Sequence, residues 1–362
     1  MKRCKILYAA STLSHLDRFH VPYIEALRKK HEVFLMASEG EGVDFPLRFH
    51  KRFFSISNLK TVKKIRRIIK SEGFDRIIVH TTLAAFMIRL AMVGIRKRNR
   101  PPVLNVVHGY LFSLPVHGRR ARFLLGCEKL LRSKTDELAL MNEEDLYLAK
   151  KYRLCEGKLS FMNGMGISIP FDMQAKDPYL RRVYAPGEKD FLCTFVGELS
   201  ERKNQIFLIR AAKRLYEEGV PIRLLLIGEG EGRAALEAEA RKLCIEDRVY
   251  MPGERENVYP YLGVTDLYVS ASTSEGLPFN IMEAMACGLP MLVSDVKGQR
   301  DLLEGHREFL YRREDADAFC KELKHIYESG VCGMGSYVYQ NLEDYLLVSV
   351  FDKNLKILAG DI

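Results

Sequence analysis

Two carboxylates, Glu275 and Glu283, stand in the stretch Ser274-Glu275-Gly276-Leu277-Pro278-Phe279-Asn280-Ile281-Met282-Glu283. The stretch follows an apolar run at 266–270 and opens an amphipathic one. Gly276 lets backbone approach a ligand closely, and Pro278 suits the first turn of a helix. The amides of Gly276 and Leu277 would then point outward at a helix N-terminus, which is a ready anion site. Glu275 stands just before that site and Glu283 about one turn inside the helix. So placed, they can accept hydrogen bonds from hydroxyls at two points along one ligand. By themselves the two acids read better as a capped helix with one exposed acid and one surface acid.

A second stretch changes the balance. In Val196-Gly197-Glu198-Leu199-Ser200-Glu201-Arg202-Lys203-Asn204 a basic pair arrives at the start of a helix, where the dipole disfavours cations. A bound anion such as a diphosphate accounts for Arg202 and Lys203 there better than solvent does. The turn Ile227-Gly228-Glu229-Gly230-Glu231-Gly232-Arg233 could cradle phosphate, but it lacks the dinucleotide fingerprint spacing and reads as structural. His108, in Asn105-Val106-Val107-His108-Gly109-Tyr110, ends an apolar run and would sit at a strand mouth. His80, His15 and His20 are open to the same reading or to that of core histidines. Asp315 and Asp317 read as an acid-rich first helical turn rather than metal ligands.

These candidates need elements to hold them. Runs at 4–9, 32–37, 76–80, 103–108, 137–141 and 159–162 read as strands, alternating with amphipathic stretches at 17–30, 59–72, 83–95, 119–133 and 143–151. That alternation implies a parallel sheet covered by helices on both faces. A polar, Pro-containing stretch at 170–189 reads as a linker. The pattern then restarts, with strands at 190–196, 222–227, 247–251, 266–270 and 290–294. Helices are expected at 204–218, 232–243, 279–287 and 315–328, and a last one at 337–358. A chain of 362 residues suits two domains. The expected division is 1–175, an acceptor-side domain, and 186–335, a donor domain, with 336–362 as a C-terminal helix. Two such domains would present the carboxyl ends of their strands to a cleft, where open α/β sheets bind ligands.

Composition narrows the class. With 47% hydrophobic and 28% charged residues and no low-complexity tract, the chain is neither disordered nor fibrous. None of the eight cysteines pairs with another at metal-ligand spacing, so reduced, buried thiols are expected. The first ten residues lack a leader pattern. The apolar stretch 77–95 contains His80 and Arg89 and reads as a strand plus helix rather than a membrane span. Residues 1–185 hold 35 Lys and Arg against 17 Asp and Glu, whereas 186–362 hold 21 against 30. The first half should therefore be drawn to an anionic surface and the second should not.

Taken in order, these motifs resemble glycosyltransferase family 4. The resemblance runs through VGELSERKNQ, LLLIGEGEG, RVYMPGERENVYPYL, SEGLPFNIMEAMACGLP and SDVKGQRDLL, and through HLDRFHVPY, VVHGYLF and FMNGMGIS. It is similar above all to bacterial members that build exopolysaccharide, capsule or O-antigen chains. The resemblance implies a GT-B fold: α/β, two Rossmann-like domains facing across a cleft, and a C-terminal helix returning to the first domain. It implies that Glu275 contacts the donor sugar and Glu283 the ribose, and that Lys203 and Arg202 neutralise the diphosphate with help from the Gly276 and Leu277 amides. Arg255 would lie near the base and His108 beside the transferring sugar, the catalytic pair being His108 and Glu275. The sequence departs from the family at Glu198, where Arg is common, so Arg300 is a further diphosphate candidate. It departs again at Ala9-Ala10-Ser11-Thr12 and at Ser168.

The expected activity is retaining transfer from a nucleotide diphosphate sugar, with UDP the default donor. Fixed cations would stabilise the departing diphosphate, so neither a metal nor another cofactor is expected. The basic stretches 59–70, 96–100 and 117–134 point to an anionic membrane. They fit a peripheral enzyme at the cytoplasmic face of the inner membrane with a lipid-linked acceptor. The alternatives are a nucleotide-sugar 2-epimerase of the same fold, a non-catalytic nucleic-acid binder and an inactive regulatory subunit. The acidic second half and the missing nucleic-acid module speak against nucleic acid as a partner.

Overall fold

A computed structural model describes residues 3–50, 55–170 and 177–360. The chain forms two units, one of residues 1–166 with 347–362 and one of 167–346. The expected linker at 170–189 falls partly on residues 171–176, which lie outside the described residues. The second unit begins earlier and ends later than expected, because its two ends hold each other. Ile167 bridges Leu346, and its N–H donates to Tyr345 O at 3.0 Å. Residues 337–346 are not helix continuing to 358. Tyr339 donates to Leu289 O and Asn341 to Leu302 O, which keeps this segment on the second unit. The last helix is Leu347–Ala359.

The first unit is built on seven parallel strands: β1 Lys5–Ala9, β2 Glu32–Ala37, β3 Phe45–Pro46, β4 Arg76–His80, β5 Val103–Val107, β6 Glu137–Leu140 and β7 Lys158–Phe161. Their order is β3-β2-β1-β4-β5-β6-β7. Burial on both faces explains the near-continuous apolar runs. β4 is wholly buried and is followed by the helix Thr82–Ala91. Arg89 on that helix is 0% exposed and makes a bidentate pair with Glu128 at 2.8 Å to each oxygen. No described helix is long and apolar enough to cross a membrane. The helix Ile56–Glu72 turns Ile65 and Ile69 into the core, with Val62 and Ile68 packed alongside. The last helix belongs to this unit. Asn354, fully buried, donates to Gly164 O at 2.8 Å, and Arg76 donates to Leu358 O at 2.9 Å.

The helix expected at 17–30 is two helices, Leu13–Phe19 and Val21–Arg28. Pro22 in the first turn of the second cannot donate backward, and His20 caps the break.

The second unit has six parallel strands: β8 Phe191–Val196, β9 Ile222–Ile227, β10 Val249–Gly253, β11 Leu267–Ser270, β12 Met291–Ser294 and β13 Leu310–Tyr311. Their order is β10-β9-β8-β11-β12-β13. The short edge strands β3 and β13 carry too few residues to show a period in sequence. Asp315 caps the helix Ala316–Ser329 by accepting from Ala318 N at 2.9 Å, and Asp317 pairs with Arg214. Neither acid is arranged as a metal ligand.

Candidate active site

In each sheet the strand order reverses once, between β1 and β4 and between β8 and β11. Connections leave such a pair in opposite directions and open a crevice at the carboxyl ends. In the second unit the two loops at this point are the two stretches singled out first. The loop after β8 carries Arg202 and Lys203, and the loop after β11 carries Glu275.

These loops are stitched together by charge. Lys203 Nζ donates to Glu275 Oε1 at 2.6 Å, and Arg202 Nη1 to Glu275 Oε2 at 3.0 Å. Arg202 also donates to Ser274 O, while Thr273 N–H donates to Arg202 O. Lys203 and Glu275 are each 7% exposed. Burial alone would raise the Glu275 carboxyl. Lys203 and then Arg202 outweigh it, and the carboxyl sits below its usual range. The three groups together keep one net positive charge, which suits an incoming anion.

Glycines let the backbone come this close. Gly228, at φ +147°, would place a Cβ 2.0 Å from Gly197 O, and Gly230, at φ +159°, would place one 2.2 Å from Leu199 O. The glycine-rich turn after β9 is therefore packing for the Lys203 loop. Gly298, at φ +77°, would place a Cβ 2.1 Å from Gly276 O and 3.3 Å from Leu277 N. The helix after the motif is Phe279–Ala286, with Pro278 as its cap rather than inside its first turn.

Several residues that support the site were not legible from residue types alone. Asn280 donates to Val196 O at 2.6 Å and to Tyr268 Oη at 2.8 Å, which ties the helix start to the end of β8. A hydrogen bond from Ser272 supports the Glu275 carboxylate. Ser272 lies 3.3 Å from the Ser270 hydroxyl, which accepts from Gln299 at 2.9 Å. The available signal was polar side chains at the buried ends of apolar strands.

The remaining candidates take separate places. Glu283 lies on the helix Phe279–Ala286 near Tyr259, whose hydroxyl is pushed up by burial and by that carboxylate. Arg255 follows β10 and donates to Tyr261 Oη at 2.8 Å. Arg300 lies on the short helix Gln299–Leu302 and donates to Asp295 at 2.6 Å. The core of the group is thus Lys203, Arg202, Glu275, Gly276 and Leu277, with Arg255 and Arg300 at the ends of other strands.

In the first unit the reversal point holds histidines. His80 ends β4, His108 follows β5, His15 lies in the first turn of the helix Leu13–Phe19 and His20 caps that helix's end. His80 Nδ1 lies 3.0 Å from His108 Nε2, and His20 Nε2 lies 3.2 Å from His15 Nε2. Tyr8 Oη meets His20 Nδ1 at 2.9 Å. Burial depresses all four imidazoles, His15 to about 4 and the others well below their usual value. Thr81, a β-branched residue held at φ +65°, adds local strain beside them. Its hydroxyl accepts from Ser11 N at 3.0 Å, linking the loops after β1 and β4.

The likeness to known proteins agrees with this geometry. Residues 177–337 match the family described as glycosyl transferases group 1. The putative glycosyltransferase EpsD of Bacillus subtilis is 28% identical over 337 residues, 89% of this chain and 87% of EpsD. An Escherichia coli enzyme, UDP-Gal:alpha-D-GlcNAc-diphosphoundecaprenol alpha-1,3-galactosyltransferase, is 24% identical over 78% of this chain and 73% of its own. The crystal structure of Anabaena HepE in complex with UDP and glucose superposes with a TM-score of 0.75 at 17% identity, covering 99% of this chain and 100% of HepE. Residues 177–337 thus belong to the glycosyl transferases group 1 family, and the chain is a glycosyltransferase of the GT-B fold.

Proposed function

We propose that the protein transfers a sugar from a nucleotide diphosphate sugar, with UDP as nucleotide, to a lipid-linked or saccharide acceptor in bacterial surface polysaccharide synthesis, with retention of configuration. The observation that carries this reading is the Lys203–Glu275–Arg202 cluster, its lysine and carboxylate buried, at the reversal point of the second sheet. Breaking the bond from anomeric carbon to phosphate puts negative charge on the leaving diphosphate. Lys203 and Arg202, held near that position by Glu275 beforehand, supply positive charge there. The donor then competes with Glu275 for its two cations, and the released carboxylate can accept hydrogen bonds from sugar hydroxyls. Glu283 would take the ribose, and His108 would stand beside the sugar. These protein groups meet the diphosphate charge, so no divalent metal is assigned to the donor.

The printed names of the relatives support the substrates. One is a UDP-Gal-dependent enzyme acting on a diphosphoundecaprenol sugar, and HepE was crystallised with UDP and glucose. Group 1 membership favours transfer over 2-epimerisation. For the acceptor side, the helix Gly118–Leu131 supports contact with an anionic membrane at the cytoplasmic face. It exposes Phe123 (49%) and Leu130 (74%) beside the exposed Arg119, Arg120, Arg122 and Lys129. Leu124 and Leu125 on the same helix face the core.

The test is a thermal-shift panel of nucleotides and nucleotide sugars without added metal. A rise in Tm with UDP and one UDP-sugar, absent in Lys203→Ala, is expected. No shift with any nucleotide would sink the proposal. Proton NMR of the first-formed product reads retention directly.

A further inference from the structure

The histidine cluster of the first unit, which includes the His108 assigned a place beside the sugar, has a second chemistry of its own. Its members come from three parts of the chain: the helix Leu13–Phe19 and its cap, the end of β4, and the loop after β5. The ligand nitrogens of His15, His20 and His108 all lie within 4.8 Å of one another. Tetrahedral ligation at about 2.0–2.1 Å implies nitrogens about 3.3 Å apart. The His15–His20 pair, at 3.2 Å, is already at that spacing.

We infer that His15, His20 and His108 form a binding site for one divalent transition-metal ion of borderline softness, zinc being the type. The donor set is all imidazole. That suits zinc, cobalt, nickel or copper and discriminates against magnesium and calcium, which require oxygen ligands. Three protein ligands leave a fourth tetrahedral position for water or an exogenous group.

Two surrounding groups fit this role. A metal-bound histidine is normally oriented through its other nitrogen. Tyr8 Oη does this for His20 at Nδ1, leaving Nε2 as the ligating atom. His80 does it for His108 at Nε2, leaving Nδ1. His80 Nε2 is itself buried with no hydrogen-bond partner among the described residues, and a water on the ion would satisfy such a nitrogen.

The test uses the full chain without an affinity tag, stripped with chelator and titrated with Co²⁺ as a spectroscopic stand-in and then with Zn²⁺. The expected result is one Co²⁺ per chain, with the visible bands of a four-coordinate nitrogen site, displaced by Zn²⁺. His15→Asn and His20→Gln should each weaken binding at least about tenfold, and Tyr8→Phe about tenfold. His306→Asn, outside the cluster, should leave it unchanged. Half-buried His15 can be replaced with little disturbance, and circular dichroism melting verifies each variant's fold. Absence of the bands would overturn the inference. So would affinity unmoved by His15→Asn and His20→Gln, or a thiolate charge-transfer band from the exposed Cys244 or Cys332. Binding is read without turnover, so this test and the donor test fail independently.

Discussion

At the reversal of the first sheet, four imidazoles and a tyrosine hydroxyl meet with no charge among them. At the reversal of the second, a lysine, an arginine and a glutamate meet in ion pairs. Topology is the same in both; the currency of polarity differs. A buried charge is tolerable only when paired with excellent geometry, which the Lys203–Glu275 contact provides. A buried imidazole has another route, since it can stay neutral by refusing its proton. The first solution suits an anion that arrives and leaves. The second suits a lone pair offered to an electrophile or a metal.

The difference should survive or break in four measurements. Lys203→Ala leaves the Glu275 carboxylate with the half-exposed Arg202 as its one remaining described cation, and should cost about 3–5 kcal/mol in the second unit, read by thermal or urea unfolding. A cost below about 1 kcal/mol would mean the cluster is solvated rather than buried. His108→Ala should leave the fold intact and lower turnover about 100-fold, equivalent to ~2.7 kcal/mol in the barrier. Near-normal turnover would reduce His108 to a packing residue.

Acid should separate the two regions when unfolding is followed in chelator. Burial depresses the histidines below their unfolded value of about 6.5. The unfolded chain therefore takes up protons first, and the first unit should lose stability as pH falls below about 6.5. The slope should be about 1.4 kcal/mol per pH unit for each histidine that stays neutral. Glu275 is also depressed, but as an acid. Its contribution is complete above the unfolded value of about 4.3 and is lost only as pH falls through the folded one. Loss of both units over one pH range would erase the distinction. The smallest effect is expected from Glu283→Ala, about tenfold in donor affinity, or ~1.4 kcal/mol, with turnover at saturating donor largely kept. Unchanged affinity, measured by calorimetry, would remove the ribose role.

How far the two regions could be seen in advance follows from the same contrast. The donor-side groups lie in two contiguous motifs, each directly after a strand, so the sequence displays them almost assembled. What it could not display is that Lys203 and Arg202 already clasp Glu275, because that contact spans 72 residues. The histidines run from position 15 to position 108 and could only be weighed one at a time. Sheet order brings them together, by setting β1 beside β4 and β4 beside β5, and so does the break at Pro22 that leaves His20 at a helix end. Short-range patterns locate strands and helices well here because both sheets are parallel and buried. They misjudged the stretch before the last helix, where aromatic and amide side chains decide to which unit residues 337–346 attach.

The return of the helix Leu347–Ala359 to the first unit bears on how the chain is made. A ribosome exposes residues 1–166 first, yet that unit lacks the partner that buries Tyr23 and satisfies Gly164 until position 354 has emerged. The second unit, continuous from 167 to 346, can close while the first is still waiting. Domains usually complete in the order of synthesis; here the earlier-made unit finishes last. A nascent chain arrested before residue 347 should therefore carry a protease-resistant second unit behind an incomplete first one.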